Sequence, residues 1–460
     1  MNVDHRPKVL VIGAGMAGSE AAFFLAQHGV QVVLVESKRI EKTPAQTTEA
    51  FGELVCTNSL KSMDANAPHG MLKYEMEALG SIILKSAKEA AVPAGDALAV
   101  DRIHFGTIMT KVLTDHPLIT VQDQIAKDPL ALMSELSCDY TVVATGPLPH
   151  KDLENWMQNV LAKEDLYFYD AIAPIVDGDS LDYTKLYYKD RHKPVPEEEG
   201  QVADYLNAPM NKEQYEAFIH ELVQAEKVQA KEFEDWKFFE ACLPIDLMAE
   251  RGPETARFSC MKPIGLELPN GEIPYAAVQL RRENRLGSAF NLVGFQTRLK
   301  YPEQTRIFKM IPGLENASFF HLGSVHRNTF LNAKKILNNN QSSREFPKVF
   351  FAGQMTGVEG YTESAASGLY VGTQILALIK GREPLSYPVE TCMGALVNYI
   401  MTADKAVPSN INVGLMPPVE LTKEERRMRK QIKKIKKAKV AKRAREIFDQ
   451  FYQEQLKEIL

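Results

Sequence analysis

Cysteine is scarce in this sequence, and its spacing excludes several classes of site. The 460 residues contain five cysteines, at positions 56, 138, 242, 260 and 392, and no two of them have C-x-x-C spacing. Paired cysteines at that spacing are typical of structural zinc sites and of thioredoxin-like redox pairs. The sequence therefore predicts no metal site and no catalytic disulfide, and it predicts that the thiols are reduced.

Long apolar runs are missing as well, and no sign of charge dominates. No stretch of 18 apolar residues occurs, and the N-terminal MNVDHRPK lacks the cationic and apolar regions of a secretion signal. These absences predict a cytoplasmic protein without a membrane partner. Since the formal net charge is -5, a polyanionic partner would have to contact local basic patches rather than the whole surface.

The stretch from Lys8 to Glu36 has the pattern of a complete strand, turn, helix and strand. An apolar run at residues 9–12 has the length of a buried strand. In a G-x-G-x-x-G motif the first glycine permits a tight turn, the second lets the backbone approach a pyrophosphate, and the third lets the next helix pack closely. The run leads directly into such a motif, formed by Gly13, Ala14, Gly15, Met16, Ala17 and Gly18.

Two further features strengthen the interpretation as a dinucleotide site. The predicted helix from Ala17 to about His28 would direct its free N–H groups and its positive dipole end toward phosphates. Glu36 ends the second strand 18 residues after Gly18, a position suited to accept hydrogen bonds from a ribose 2′-hydroxyl. The alternatives are a structural glycine turn and an S-adenosylmethionine methyltransferase, which also uses a glycine turn and an acid after the second strand.

Features of a nucleotide-binding fold return late in the chain, which predicts an insertion. The apolar strand predicted at 140–144 continues into Thr145 and Gly146, and a second one at 349–351 continues into a glycine-rich turn and an apolar helix. A chain of this length is expected to form about two or three domains. We predict a nucleotide-binding domain at 1–150, an inserted domain at 151–346, a return to the first domain at 347–420, and a basic C-terminal helix at 421–460.

Two segments of the chain have the pattern of amphipathic helices. Residues 71–90 carry apolar side chains on one face and predict a single helix. Residues 423–445 hold thirteen Lys or Arg against two Glu, with Met428, Ile432 and Ile435 as a thin apolar stripe. The second helix either packs on the body through that stripe with a solvated charged face, or contacts a polyanion such as RNA.

Several long strings in the chain resemble one family. GAGMAGSEAA, ELVCTNSL, VPAGDALAVDR, FFEACLPID, HRNTF and FAGQMTGVEGYTESAASG are similar to the folate- and FAD-dependent tRNA uracil-C5 methyltransferases of the TrmFO (Gid) family, which is related to GidA. The resemblance covers about Lys8 to Pro418. It implies an α/β fold, with a Rossmann-like FAD-binding domain of the glutathione-reductase-like flavoprotein type that carries an inserted α+β domain.

The resemblance also implies a reaction. Family members make 5-methyluridine at position 54 of the tRNA T loop, with 5,10-methylenetetrahydrofolate as one-carbon donor, reduced FAD as hydride source, and NADH or NADPH as reductant of the flavin. Cys242 in FFEACLPID matches the thiol that attacks uracil C6, and Cys56 in ELVCTNS matches a second thiol near the flavin. The division of labour between the two thiols stays open at this point.

Other expected roles combine the glycine motif described above with the resemblance. Residues Gly13 to Gly18 and Glu36 are expected to hold the ADP half of FAD. Further contacts to pyrophosphate and flavin are expected from Thr145, Gly146, Gly353, Gln354 and Gly357. A pocket for folate or RNA is expected at Asp101, Arg102, His326, Arg327 and Asn328, although ordinary surface contacts would also explain these side chains. Four further basic residues are expected either to face phosphates or to be exposed to solvent: Arg281, Arg282, Arg298 and Lys300.

Three other functions are compatible with parts of the pattern. One is the same chemistry on a uridine of 23S ribosomal RNA, because both RNAs present a base that must leave its stack. Another is an NAD(P)H-dependent flavin oxidoreductase without an RNA substrate, against which the missing C-x-x-C pair counts. The last is an RNA-binding flavoprotein without catalysis, against which the presence of both Cys56 and Cys242 counts.

Overall fold

A computed structural model describes most of the chain. The described residues are 6–161, 166–191, 193, 203–228, 238, 243–284, 286–404, 407–428 and 431–460. Within them the strands are β1 Lys8–Ile12, β2 Gln31–Glu36, β3 Ser59–Ser62, β4 Ala91–Val92, β5 Ala97–Val100, β6 Ile119–Asp123, β7 Tyr140–Val143, β8 Leu166–Ala171, β9 Ile175–Asp177, β10 Tyr187–Tyr188, β11 Tyr205–Met210, β12 Ala276–Arg282, β13 Ala289–Leu292, β14 Phe319–His321, β15 Val325–Phe330 and β16 Val349–Phe351.

Helices connect and cover these strands. They are α1 Met16–Gln27, α2 Pro68–Ala78, α3 Ile82–Glu89, α4 Arg102–Thr114, α5 Pro129–Glu135, α6 Lys151–Trp156, α7 Lys212–Gln224, α8 Ile245–Arg251, α9 Tyr301–Phe308, α10 Ala333–Ile336, α11 Tyr361–Ile379, α12 Cys392–Thr402, α13 Lys423–Arg427, α14 Ile432–Phe451 and α15 Lys457–Ile459. Of the helices described, none combines the length and the apolar character that crossing a bilayer requires.

A parallel five-stranded sheet is the foundation of the molecule. Its strand order is β16-β7-β1-β2-β6, so β1 lies at the centre and the late strand β16 returns to an edge beside β7. Val9 and Val11 pack into one apolar core, and Leu10 and Ile12 pack into the core on the opposite face. Because strand side chains alternate between faces, the unbroken apolar run of β1 is what a sheet buried on both sides requires.

The connection between β7 and β16 contains a second sheet. This sheet has six antiparallel strands in the order β10-β11-β12-β13-β9-β14. Its core is aromatic, with Phe218, Phe290, Phe295 and Phe308 all fully buried. Smaller sheets, β3-β5-β4 and β15-β8, complete the fold.

The helix predicted at 71–90 is two helices. Gly80 takes a left-handed backbone with φ of +77°, and the side chain of Ser81 accepts a hydrogen bond from the N–H of Leu84 as the N-cap of α3. Glu20, buried in α1, accepts hydrogen bonds from the N–H groups of Ile82 and Ile83. The break is therefore stabilised by a glycine, a cap and a buried carboxyl group, and only the first two are local in the sequence.

The basic helix predicted at 423–445 also differs in its bounds. The structure has the short α13 at Lys423–Arg427, and the long α14 runs from Ile432 to Phe451. Thr422 and Glu425 form a capping box at the start of α13. The long helix extends beyond the predicted end because Phe448 and Phe451 continue its buried face.

Candidate active site

A cavity of about 410 Å³ opens at the carboxyl ends of the parallel strands. This is the edge at which open α/β sheets bind their ligands, and the volume falls within the range of about 300–1,000 Å³ of small-molecule sites. The walls include the turns after β1, β7 and β16, the end of β2, the loop that contains Cys56, and part of the six-stranded sheet.

The glycines after β1 have distinct roles. A Cβ atom added to Gly18 would lie 1.8 Å from the carbonyl oxygen of Gly13, so the close approach of α1 to the turn requires glycine. A Cβ atom added to Gly15 would meet nothing within 4 Å, and Gly15 lines the cavity. The space beside Gly15 is therefore open to a ligand, as expected where a backbone approaches a pyrophosphate.

Two helices begin at this cavity without a side-chain cap. The N-cap of α1 is Gly15 and that of α11 is Gly360, and neither has a side chain that accepts from the first turn. Uncapped N–H groups and the helix dipole together favour anionic groups at both places. Thr145 adds a buried hydroxyl oxygen that has no hydrogen-bond partner within the described part of the chain.

Glu36 closes the other side of the glycine turn. Its Oε1 atom accepts hydrogen bonds from the N–H groups of Ser37 and Lys38, at 2.8 and 2.9 Å, and its Oε2 atom accepts one from Ala14 at 2.7 Å. A carboxylate has about four lone-pair sites, so Oε2 retains acceptor capacity. Glycines, uncapped helices and acid together fit the phosphates and ribose of an ADP-containing cofactor such as FAD.

The loop that contains Cys56 forms a further part of the wall. Cys56 is half-buried and lines the cavity, and its backbone N–H donates a hydrogen bond of 2.7 Å to the hydroxyl oxygen of Tyr361. Desolvation raises the pKa of Tyr361, and the neighbouring Cys56 adds to the rise. Tyr361, the first residue of α11, thus positions the loop that contains Cys56 at the same cavity as the glycine turn.

The six-stranded sheet anchors this loop from the opposite side. The amide of Asn58 donates to the carbonyl oxygens of Val100 and Arg282, at 3.0 and 2.9 Å. The guanidinium of Arg281 donates to Asn58 Oδ1 at 2.8 Å and also to the hydroxyl of Thr57. Arg281 is only 8% exposed and lines the cavity, so it places a buried positive charge on the wall.

Sequence reasoning missed an ion cluster beside the start of α11. Glu363 is fully buried, and its Oε1 atom lies 3.5 Å from Lys61 Nζ and 3.2 Å from His69 Nε2. Burial alone would raise the pKa of Glu363, but Lys61 and His69 outweigh it and lower the pKa. Burial lowers the pKa of the nearby Lys73 to about 8. Only the tertiary fold reveals this cluster, because no motif joins its members.

Lys61 is unusual in its backbone as well. Its φ is +64°, and the pairing of β3 with β5 shifts register between Ser59 and Ser62. A non-glycine residue in the left-handed region costs about 1–2 kcal/mol, and such strain concentrates at functional sites. Lys61 lines the cavity, which makes it a candidate site residue that the sequence pattern does not indicate.

Comparisons with known proteins agree with this geometry. The family model described as "Glucose inhibited division protein A" matches residues 8–383. A protein named methylenetetrahydrofolate--tRNA-(uracil-5-)-methyltransferase TrmFO from an Exiguobacterium species is 48% identical over 427 residues, which are 92% of this chain and 94% of the relative. A protein of the same name from Enterococcus faecalis is 48% identical over 413 residues, with 89% and 92% coverage. The chain belongs to the TrmFO family.

Solved structures confirm the predicted fold class. A crystal form of GidA from Aquifex aeolicus matches 96% of this chain and 76% of its own, with a TM-score of 0.67 and 16% identity. A second crystal form matches 98% of this chain and 74% of its own, with a TM-score of 0.66 and 15% identity. The fold is α/β, with a Rossmann-like FAD-binding domain and an insertion, as the sequence predicted.

The structure brings most of the expected cofactor contacts together. Among the residues that line the cavity are Gly13, Gly15, Met16, Ala17, Glu36, Thr145, Gly146, Gly353 and Gln354. Ala14 and Gly18 support the turn from behind, since Ala14 donates to Glu36 and Gly18 packs on Gly13. Gly357 does not line the cavity; with φ of +98° it ends a short 3₁₀ turn after β16.

Asp101 and Arg102 do not line the cavity, unlike the pocket expected from the resemblance. The Asp101 carboxylate caps α4 and accepts hydrogen bonds from Ile103 and His104. Arg102 donates to the carbonyl oxygen of Leu54 at 2.9 Å and pairs with Glu283 at 2.7 Å. Both side chains thus make contacts within the protein, and Arg102 binds the loop that contains Cys56 through the carbonyl oxygen of Leu54.

The remaining candidates divide into four groups. Asn328 is buried and lines the cavity. Arg298 pairs with Asp246 at 2.6 Å, and Lys300 pairs with Glu226 at 2.7 Å, so neither is a free cation for phosphates. Arg282 stacks over Tyr188, with its Cζ atom 5.5 Å from the ring centroid. Its guanidinium therefore makes a contact within the protein. Cys242 and the side chains of His326 and Arg327 lie outside the part of the chain that the structure describes.

Proposed function

We propose that this chain methylates C5 of uridine 54 in the tRNA T loop, with 5,10-methylenetetrahydrofolate as donor, FAD as bound cofactor and NADH or NADPH as reductant. The observation that carries the proposal is identity of 45–48% across nearly the whole chain with relatives named methylenetetrahydrofolate--tRNA-(uracil-5-)-methyltransferase. The cavity geometry supports it, because a dinucleotide turn and a cysteine share one wall.

Residues of this chain would hold FAD in two places. The amide groups at the start of α1 and the space beside Gly15 suit the pyrophosphate, and Glu36 suits the adenosine ribose. The start of α11, Thr145 and Gly353 line the remainder of the cavity. When bound and reduced, the flavin supplies the hydride that converts a one-carbon unit into a methyl group.

A thiol is required because C5 of uracil is a weak nucleophile. In the proposed step, the Cys242 thiolate adds to C6, and the electron pair of the C5–C6 double bond forms an enolate. The C5 carbon then attacks the methylene carbon of the donor, and one of the two bonds from that carbon to folate nitrogen breaks. Loss of the C5 proton breaks the other bond and leaves an exocyclic methylene group on C5. A hydride, which reduced flavin would supply, completes the methyl group, and departure of the thiolate from C6 restores the ring. Covalent catalysis thus divides one difficult step into easier ones.

The described residues next to Cys242 support its placement in the site. The N–H of Ile245 donates a hydrogen bond of 2.7 Å to the carbonyl oxygen of Gln296, and Gln296 lines the cavity. Three residues of extended chain span at most about 11 Å, so the length of chain from this anchor is compatible with the role proposed for Cys242. Asp246 fixes this anchor, since its carboxylate binds both Arg298 and the hydroxyl of Thr297.

The role proposed for Cys56 has two forms. Its thiol either removes the C5 proton or contacts the flavin in the resting enzyme, and its position on the cavity wall is compatible with both. Release of tritium from [5-³H]uridine in tRNA separates them. Loss of tritium release in Cys56→Ser, with an unchanged flavin spectrum, assigns proton removal. Normal release with an altered flavin spectrum assigns the contact with the flavin.

The central test uses Cys242→Ala with a matched cysteine variant. Transfer of labelled carbon from methylenetetrahydrofolate to unmodified tRNA is measured with NADH and FAD present. Cys242→Ala should lose at least about a thousandfold in rate, the order of covalent and acid–base contributions, and should remain yellow and folded. The control is Cys138→Ala, because Cys138 is half-buried and does not line the cavity. Normal transfer by Cys242→Ala would remove the proposed nucleophile.

The substrate is tested in the same assay with fragments of 23S ribosomal RNA in parallel tubes. Label in tRNA at uridine 54 supports the proposal, and label only in ribosomal RNA keeps the chemistry but changes the substrate. No label in either RNA, from a yellow protein that oxidises NADH, would mean a flavin oxidoreductase without RNA.

A further inference from the structure

The C-terminal helix α14 has two halves of different character. Toward its end, Val440, Ala441, Ala444, Phe448 and Phe451 are buried against the body of the protein. In its first two turns most side chains are exposed, and Ile432 and Ile435 are half-buried. Four lysines are exposed there, namely Lys433, Lys434, Lys436 and Lys437, and we call these four the basic face.

The buried half fixes the helix firmly. Phe448 packs edge-on against Tyr74 of α2, with ring centroids 6.3 Å apart, and the Tyr74 hydroxyl donates to Asp449 at 2.8 Å. Arg445 donates to the carbonyl oxygen of Ala65, and Arg443 donates to that of Pro418 at 2.9 Å. The basic face is therefore held in place by contacts that begin a few residues further along the same helix.

The four lysines of the basic face lack acidic partners within the described part of the chain, since no ion pair within 4.0 Å joins them to it. The next lysines do have partners: Lys439 lies 2.8 Å from Glu425, and Lys442 lies 3.8 Å from Glu446. Among the lysines of α14, those without an acidic partner in the described part of the chain are therefore these four, in a protein whose formal net charge is -5. Such a cluster of like charges repels itself unless an anion neutralises it.

We propose that the basic face binds phosphates of the RNA substrate. This inference rests on the function proposed above and adds a docking surface to it. RNA is favoured over an anionic membrane, because a membrane-binding helix presents an apolar face beside its charges. Here the apolar side of α14 is buried in protein, and Ile432 and Ile435 are only half-exposed.

The position of α14 relative to the cavity suits an RNA ligand. Arg445 contacts Ala65, which follows the cavity residue Lys61 by four residues, or at most about 14 Å of chain. Lys437 precedes Arg445 by eight residues, which is about 12 Å along a helix. With the Arg445 side chain included, the basic face thus begins within about 40 Å of the cavity wall, close to one turn of a B-form duplex at about 34 Å. An RNA with its target base in the cavity has phosphates within this range.

The experiment compares two quadruple Lys→Gln variants with the natural protein. The first replaces all four lysines of the basic face. The second replaces four exposed lysines from elsewhere, so that net charge changes equally in both variants. These control positions are Lys85, Lys111, Lys348 and Lys380. Binding of an unmodified tRNA transcript is measured by fluorescence anisotropy between 50 and 200 mM salt.

The slope of log K against log salt is negative, and each lost phosphate contact should make it less steep by about 0.7–0.9. Four lost contacts then reduce its steepness by about 3. The affinity ratio between the natural protein and the basic-face variant should therefore shrink about 60-fold when salt rises fourfold. The control variant should keep a slope within about one contact of the natural protein. Equal slopes in all three proteins would overturn the proposal, as would an equal change in the control.

A second readout separates this proposal from the proposed function. With saturating tRNA, the basic-face variant should methylate at the natural kcat while its KM for tRNA rises. Absence of methylation in all three proteins, with the slope difference intact, refutes the proposed reaction and keeps the docking surface. Vesicles of phosphatidylglycerol and phosphatidylcholine provide the alternative anion: loss of vesicle binding with unchanged tRNA binding would overturn the RNA assignment.

Discussion

Replacing Gly15 by alanine tests whether the cavity holds the pyrophosphate of FAD. The backbone of Gly15 has φ of −76° and ψ of −165°, a conformation that alanine adopts without strain. The new methyl group would meet no protein atom within 4 Å and would project into the cavity. The folded protein therefore accommodates the change, and any cost arises when the ligand binds.

The expected magnitudes differ between the protein and its complex. Gly→Ala at a compatible position stabilises by about 0.4–1 kcal/mol, and loss of glycine at an N-cap costs a similar amount, so the apoprotein should change by less than about 1 kcal/mol. A methyl group inserted between backbone and ligand costs about 1–3 kcal/mol. The dissociation constant for FAD should rise about 5- to 150-fold.

The matched control is Gly18→Ala. Its added Cβ atom would lie 1.8 Å from the carbonyl oxygen of Gly13 and 3.3 Å from Ala144 Cβ. Backbone atoms cannot yield to that extent, so this variant should lose about 3 kcal/mol or more of apoprotein stability. The two substitutions in one motif are thus predicted to have different effects: Gly15→Ala weakens FAD binding, and Gly18→Ala destabilises the folded protein.

The assay has two parts. FAD is titrated into apoprotein and followed by quenching of its fluorescence, and thermal unfolding of the apoproteins is recorded separately. If Gly15→Ala binds FAD as tightly as the natural protein, the space beside Gly15 does not hold the cofactor and the reasoning fails. If Gly15→Ala unfolds as readily as Gly18→Ala, weaker FAD binding would reflect the loss of folded protein and not a clash between the new methyl group and the cofactor, and the reasoning fails.

Three further predictions concern stability. Burial raises the pKa of Glu20 from 4.5 to about 7, so its protonated form favours the folded state; that contribution, about 3 kcal/mol, is fully present below pH 4.5 and is lost as the pH rises through 7. Glu20→Gln should remove it, and a natural-minus-variant Tm difference that stays constant between pH 4.5 and 8 would contradict this. Phe448→Ala should cost about 3–5 kcal/mol because the ring is fully buried, and a urea midpoint equal to that of the natural protein would show that α14 is not docked. Lys61→Gly should be more stable than Lys61→Ala by about 1 kcal/mol, because glycine tolerates the φ of +64°; equal melting temperatures would refute the strain at Lys61.

The turn at Gly13 to Gly18 was predictable because its requirements are local. A tight turn and a close helix are needed within a few residues of each other, and only glycine meets them, so the motif appears in the sequence itself. The same holds for Glu36, whose distance from the motif is fixed by one helix and one strand. Asp101 shows the limit, since a short polar residue before a helix serves equally as a cap or as a ligand contact.

The break between α2 and α3 shows a second limit. The apolar pattern continues across Leu79 to Ile82, because both helices face the same core. Gly80 and Ser81 gave a local signal for the break, but the deciding partner is Glu20, which lies 61 residues from Ser81. Hydrophobic periodicity reports which face is buried, and it does not report where one helix ends and the next begins.

By itself the sequence determined the class of fold, the dinucleotide turn and the family, because each depends on residues that lie close together in the chain or in long characteristic strings. Only the tertiary structure decided that Tyr361 and Arg281 position the loop of Cys56, that Lys61 and His69 surround Glu363, and that half of α14 stays exposed. These contacts join residues hundreds of positions apart in several cases. Their energies depend on distance, burial and mutual orientation, which no local pattern records.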